Sequence, residues 1–179
     1  MESITEFADK AKSCICKIIL DSGYGSGFFC RIPLGKKKEL ANFLFTCEHV
    51  LSKDSLCSSN YIILEVGNKN KKKLSIKNRR IFSSQQLDYT CIEILDEDNI
   101  EDFYSIDDGN LKTIFSGDIY KNKHVIIFAI MKNKRSGLSN GLIKIIKNDK
   151  FIYTCNTYPG SSGGVIINKS KYKLCNRNT

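Results

Sequence analysis

The segment Tyr158-Pro159-Gly160-Ser161-Ser162-Gly163-Gly164-Val165-Ile166 sets three glycines and a proline around a serine, between one apolar run ending at Cys155 and another starting at Gly164. Acyl transfer asks for a loop of this kind. The nucleophile must project from a tight turn, and backbone N–H groups must converge on the oxygen that becomes negative. Glycine supplies the unusual dihedrals and the missing side chain that such a nest needs. A Gly-Ser-Ser-Gly-Gly run alone is also ordinary turn chemistry, so the reading of Ser162 as a nucleophile depends on the partners found with it.

A serine of ordinary pKa needs a base, and the chain has two histidines. His49 closes the apolar run Leu44-Phe45-Thr46-Cys47-Glu48-His49 and is followed by Val50-Leu51, which places an imidazole at a strand end with apolar support on both sides. His124 opens a strand in a lysine-rich setting. An acid must then orient the imidazole and stabilise its cation. Asp88 stands at the mouth of Leu87-Asp88-Tyr89-Thr90-Cys91-Ile92, where a carboxylate is costly unless something pairs with it. Each residue alone has a plain alternative, a satisfied histidine or a turn-capping aspartate. Together they run His, Asp, Ser along the chain, unlike the order in subtilisins or α/β-hydrolases.

The elements that must position these residues read as strands. Isoleucine is abundant and only two prolines occur, a mix that suits pleated, half-buried surfaces. After a polar helical start near residues 2–12, strands are expected over 14–20, 25–31, 43–46, 61–66, 73–81 and 89–95, separated by turn residues such as Gly23, Gly35 and Gly67-Asn68. An acidic stretch over 96–108 reads as a linker or short helix. A second set of strands follows over 124–131, 142–147, 151–155, 164–167 and 172–175, with a weaker one over 112–115 and a hairpin turn at Asn148-Asp149. The expected architecture is all-β, an N-terminal barrel over 13–96, an acidic linker over 97–110 and a C-terminal barrel over 111–179.

Composition narrows the function classes. The net charge is +9, and the lysines cluster at 36–38, 69–73 and 169–173. These runs lie between apolar stretches with no interleaved aromatics to stack on bases, so they read as solvated hairpin tips and nucleic acid is not an expected partner. The eight cysteines sit mostly inside apolar runs, and the N-terminus has no apolar core of signal-peptide length. Free thiols and a cytoplasmic location are expected. Cysteine and histidine spacing gives no structural zinc pattern, no cofactor motif is evident, and no apolar run is long enough to span a membrane.

Four segments in order, Gly25-Ser26-Gly27-Phe28-Phe29, Thr46-Cys47-Glu48-His49-Val50, Leu87-Asp88-Tyr89-Thr90 and Pro159-Gly160-Ser161-Ser162-Gly163-Gly164, resemble the signature segments of trypsin-like serine peptidases. The resemblance covers residues 14–168 and is nearer the intracellular and bacterial branch than the digestive enzymes. It implies two antiparallel β-barrels with the active site in the cleft between them. It also implies His49 as general base, Asp88 as its orienting acid, Ser162 as nucleophile, and the N–H groups of Gly160 and Ser162 as the oxyanion hole. By the same alignment Asn156 and Thr157 fall near the substrate pocket, which gives no support for a buried carboxylate selecting Lys or Arg.

The resemblance therefore implies a serine endopeptidase that cuts polypeptides through an acyl-enzyme. Three features depart from the family pattern. Ser161 stands where secreted members carry an aspartate that pairs with a newly cleaved N-terminus, and Val50 stands where they carry a cysteine. Only fifteen residues follow Gly164, so the second barrel is expected to lack at least one strand. That shortfall sets up the alternative function, a catalytically impaired homologue that binds peptides.

Overall fold

The computed structural model describes residues 11–35, 39–67, 71–105, 120–131, 135–147 and 150–168. The first half is a curled sheet. β1 (Ile15–Leu20), β2 (Gly23–Leu34) and β3 (Glu39–Thr46) form an antiparallel meander, followed by β4 (Tyr61–Val66), β5 (Lys71–Ser75), β6 (Ile81–Ser84) and β7 (Tyr89–Glu93). The strand order is β5-β4-β1-β2-β3-β7-β6, with β8 (Tyr104–Ser105) added in parallel beside β2. The second sheet has β9 (His124–Ile130), β10 (Ser136–Lys147), β11 (Lys150–Tyr153) and β12 (Val165–Asn168) in the order β11-β10-β9-β12. The architecture is all-β, consistent with a chymotrypsin-like double barrel.

Alternation on the curled sheet turns one set of side chains inward. Ile18, Phe29, Leu44, Leu64 and Ile92 are all but inaccessible and fill the interior of the first half. A second apolar cluster joins the halves: Cys14, Ile15 and Tyr104 pack with Ile126, Phe128 and Val165. Each large side chain buried there contributes about 1.5–3 kcal/mol of transfer free energy. β9 reads as a continuous apolar run, Val125 to Ile130, because every one of those residues is buried.

Several elements differ from the sequence expectation. The strand expected over 73–81 is broken after Ser75, and Asn78 takes a left-handed φ of 57° in the turn before β6. The break lets Arg79 turn inward, where its guanidinium is bound by both carboxylate oxygens of Asp98. A buried cation of this kind is tolerated because it is paired. The acidic stretch is thereby pinned to the first sheet, through a short 3-10 turn at Asp96–Asp98 and the pairing of Tyr104 with Cys30. A helix, α1 (Lys53–Ser58), follows the His49 turn, and its Ser52 cap accepts from the Ser55 N–H. β2, β3 and β10 extend further than expected.

At the N-terminus residues 11–13 are helical. The rest of the expected first helix, the strands over 112–115 and 172–175, and the Asn148-Asp149 turn lie outside the described residues. Of the lysine runs, Lys71 to Lys73 lie on edge strand β5, where charge discourages edge-to-edge pairing. Seven cysteines, all those among the described residues, are free thiols. Burial pushes Cys16 far up, and Cys30 and Cys91 up to about 11. No helix among the described residues is long and apolar enough to cross a membrane.

Candidate active site

Strand register explains why His49 and Asp88, distant in sequence, meet. β3 and β7 are antiparallel with Thr46 opposite Thr90. One step beyond the sheet end, the chain leaving β3 therefore faces the chain entering β7. The turn after β3 is closed by the Val50 and Leu51 N–H groups on the Cys47 carbonyl. Leu51 anchors it in the core, and the buried Thr90 hydroxyl donates to the Leu51 carbonyl at 2.9 Å. Asp88 ends the four-residue loop between β6 and β7 with φ of 49°, a left-handed conformation that Asp tolerates better than most residues.

The two side chains form a close pair. His49 Nδ1 lies 2.8 Å from Asp88 Oδ2 and 3.0 Å from Oδ1, and the His49 backbone N–H donates to Oδ1 at 3.0 Å. Desolvation is the largest single influence on the Asp88 carboxyl and pushes it up. The His49 and Glu48 N–H groups, with the His49 ring and its charge, outweigh it and hold the carboxyl below its ordinary range. Asp88 is therefore an ionised acceptor at neutral pH, and the Nδ1 proton points at it. That leaves Nε2 as the acceptor nitrogen, which is the tautomer a general base requires.

Ser162 projects from the loop between β11 and β12. Gly160 and Gly163 have φ of 92° and 83°, both in the left-handed region. The Ser161 N–H donates to the Tyr158 carbonyl at 2.9 Å and the Gly164 N–H to the Ser161 carbonyl at 3.0 Å. Among the described residues the N–H groups of Gly160 and Ser162 donate to no protein acceptor, so two donors flank the serine unclaimed. Ser161 is buried. Its hydroxyl donates to the Ile130 carbonyl and accepts from the Tyr158 N–H, each at 3.2 Å. Among the described residues no hydrogen bond joins His49 to the Ser162 hydroxyl.

Ser26 is the residue that sequence reading passed over. Its buried hydroxyl donates to the Gly160 carbonyl at 2.7 Å and accepts from the Ile130 N–H at 2.8 Å. Its backbone N–H donates to the Ser162 carbonyl at 2.8 Å, and its carbonyl accepts from the Thr46 hydroxyl at 2.8 Å. Ser26 thus clasps the serine loop to the half that carries His49. In the sequence Ser26 figures only as a member of the segment Gly25-Ser26-Gly27-Phe28-Phe29, with no role attached to its hydroxyl. Ser26→Ala leaves a buried donor and acceptor unpaired, an expected loss of about 1–3 kcal/mol. Thermal unfolding checks this at roughly 2–4 °C per kcal/mol for a chain of this size, and an unchanged Tm removes the clasp from the account.

A cleft of about 440 Å³ opens at the serine, lined by Phe28, Phe45, Tyr153, Thr157, Ser162 and neighbouring backbone. The Phe28 and Phe45 rings stack 5.5 Å apart and form part of its wall. Thr157 is in that lining, while Asn156 lies outside it, exposed, with its N–H bound to the Ser139 hydroxyl at 2.8 Å. Cys47 also lines the cleft, half-buried between the dyad and the loop. Desolvation first, and then the Asp88 charge, raise its thiol, while the Gly163 N–H directed at the sulfur opposes them.

No family model matches the chain, and no curated protein does. Solved structures do. The inactive form of the Rv3671c protease superposes with a TM-score of 0.57 at 13% identity, over 89% of this chain and 74% of that one. The serine endoprotease from Yersinia pestis gives 0.56 at 14% identity, over 89% of this chain and 51% of its own. A serine-to-alanine mutant of Rv3671c from M. tuberculosis H37Rv, also an inactive form, gives 0.58 at 13% over 94% and 74%. This chain thus matches about half the length of the Yersinia protein. The fold is that of the trypsin-like serine proteases.

Proposed function

We propose that the chain is a serine endopeptidase using His49, Asp88 and Ser162. The observation that carries this reading is the His49–Asp88 pair, held at 2.8 Å with its acceptor nitrogen free, in a chain whose serine loop presents two unclaimed N–H groups. As Ser162 Oγ bonds to the scissile carbonyl carbon, its proton passes to His49 Nε2. The carbonyl oxygen gains charge and is met by the Gly160 and Ser162 N–H groups. The C–N bond then breaks as His49 returns that proton to the departing amine. Water repeats the sequence on the acyl-enzyme, and the serine is restored. Asp88 stays ionised throughout and stabilises the imidazolium.

The substrate is a polypeptide, and the aromatic lining of the cleft favours an apolar side chain beside Ser162. Thr157 contributes to that wall, and Asn156 stands just outside it. In the active enzyme the Ser162 hydroxyl turns to bond His49 Nε2, a contact that often tightens only with substrate bound.

Intact-mass detection of a fluorophosphonate adduct tests the proposal, with Ser162→Ala as control. A single adduct that is absent from the control is the expected result. A folded chain that takes no adduct overturns the enzyme reading and favours the peptide-binding alternative.

A further inference from the structure

We propose that Cys47, His49 and Asp88 together form a site for a thiophilic divalent cation, with Zn2+ as the type, which reversibly switches the candidate catalytic dyad off. Occupancy rests on the geometry alone, whereas the inhibitory consequence rests on the endopeptidase reading. One ligand atom from each side chain, the thiol sulfur, a ring nitrogen and a carboxylate oxygen, lies within 4.8 Å of the other two. Among the described residues this is the one group of three such side chains so placed. Sequence spacing hides it, because Cys47 and His49 are too close for a usual zinc pair and Asp88 arrives from another hairpin.

The ligand set suits zinc. Sulfur, imidazole nitrogen and carboxylate oxygen bind it at about 2.0–2.3 Å, with three protein ligands leaving a fourth position for water. Tetrahedral bonds of that length put ligand atoms roughly 3.3–3.8 Å apart, so His49 Nδ1 and the Asp88 oxygen, now 2.8 Å apart, part slightly to admit the ion while the longer separations, none above 4.8 Å, draw in. The side chains of His49 and Asp88 are 57% and 48% exposed, which leaves a path from solvent.

Binding has a defined effect on the base. The metal takes Nδ1, the nitrogen that now faces Asp88, and the proton there moves to Nε2. The Cys47 thiol proton goes to solvent as the S–metal bond forms. Net, one proton is released, and His49 becomes an Nε2–H donor that cannot accept from Ser162. Removing a general base in this way costs about 10²-fold or more in rate.

Two measurements on the full chain, first stripped with chelator, test the site. Co2+ titration of the parent and of Ser162→Ala should give a thiolate-to-cobalt charge-transfer band at one ion per chain. The band should vanish in Cys47→Ala and in Cys47→Ser, each checked for cooperative unfolding, and persist in Cys57→Ser. Zn2+ should slow fluorophosphonate labelling of the parent about 10²-fold, reversed by chelator, while the ratio with and without Zn2+ stays near one in the Cys47 variants. A band that survives loss of Cys47, or no band on the folded parent, overturns the site. Labelling that Zn2+ leaves unchanged while the band forms overturns the switch. If the parent takes no label even without metal, the endopeptidase reading fails and the cobalt band alone decides occupancy.

Discussion

Asp88→Asn is expected to slow fluorophosphonate labelling of Ser162 by about 10⁴-fold while leaving the fold almost as stable as the parent. The two oxygens of Asp88 have different duties. Oδ1 accepts the backbone N–H of His49 at 3.0 Å, a bond that holds the turn, and Oδ2 is the oxygen nearer the ring nitrogen, at 2.8 Å against 3.0 Å for Oδ1. An asparagine amide keeps one oxygen for the backbone bond and presents N–H donors to the ring. Two donors cannot share that contact, so His49 gives up its Nδ1 proton and carries it on Nε2. The imidazole is then protonated at the nitrogen that the proposed mechanism needs as acceptor.

Asp88→Ala, by contrast, removes the backbone acceptor as well and places alanine at the left-handed φ of 49° that aspartate tolerates better, so it should lower stability by more than the roughly 1 kcal/mol of that bond alongside the loss of rate. Labelling rates across pH, together with the ring 15N shifts of His49, separate the two effects. A fall of less than about tenfold in the asparagine variant would mean that the Nδ1 contact does not set the tautomer.

How much of this could be read from the chain follows the physical reach of each signal. Strands in the first half announced themselves because β-branched and aromatic residues run between turn glycines, and the register of β3 on β7 then leaves His49 and Asp88 facing each other beyond the sheet end. Local patterning placed each residue at a strand mouth, and only pairing joins them. The break at Asn78 was hidden because Lys73 to Ile81 alternates well enough for one strand. What interrupts it is the burial of Arg79 against Asp98, a contact across the sheet that no local window contains. The acidic stretch, read as a linker or short helix, gives no sign of this contact for the same reason, since its partner Arg79 lies in another turn.

Ser26 marks the other limit. Its hydroxyl bonds a carbonyl 134 positions away, and nothing in a Gly-Ser-Gly triplet distinguishes a clasp from a flexible turn. Cys47 is similar: its place beside a serine-loop N–H and a carboxylate follows from folding, while its place after Thr46 suggests no more than a small residue at a strand end.

Gly163→Ala is expected to unfold the candidate site. A Cβ on Gly163 falls 2.1 Å from the Ser26 carbonyl oxygen and 2.5 Å from the Thr46 hydroxyl, at a φ of 83°. The first is backbone, and it cannot retreat cheaply. Ser26 is held on its other side by its N–H on the Ser162 carbonyl, so any shift that relieves the overlap strains the clasp between the halves. Left-handed backbone costs a non-glycine residue about 1–2 kcal/mol, and overpacking a tight contact adds about 1–3 kcal/mol. The total, about 2–5 kcal/mol, is a large part of the roughly 5–15 kcal/mol that stabilises a typical domain.

Gly67→Ala separates the two contributions. Gly67 has a left-handed φ of 60° but open space where its Cβ would stand, so its variant should show the conformational part alone. Thermal unfolding of both variants should therefore place Gly163→Ala well below Gly67→Ala. Labelling of Ser162 should be lost in the first and kept in the second, even at temperatures where both remain folded. Equal Tm values would mean that the close approach of the serine loop to Ser26 is not what fixes it, and the clasp would then have to be sought elsewhere in the contact between the halves.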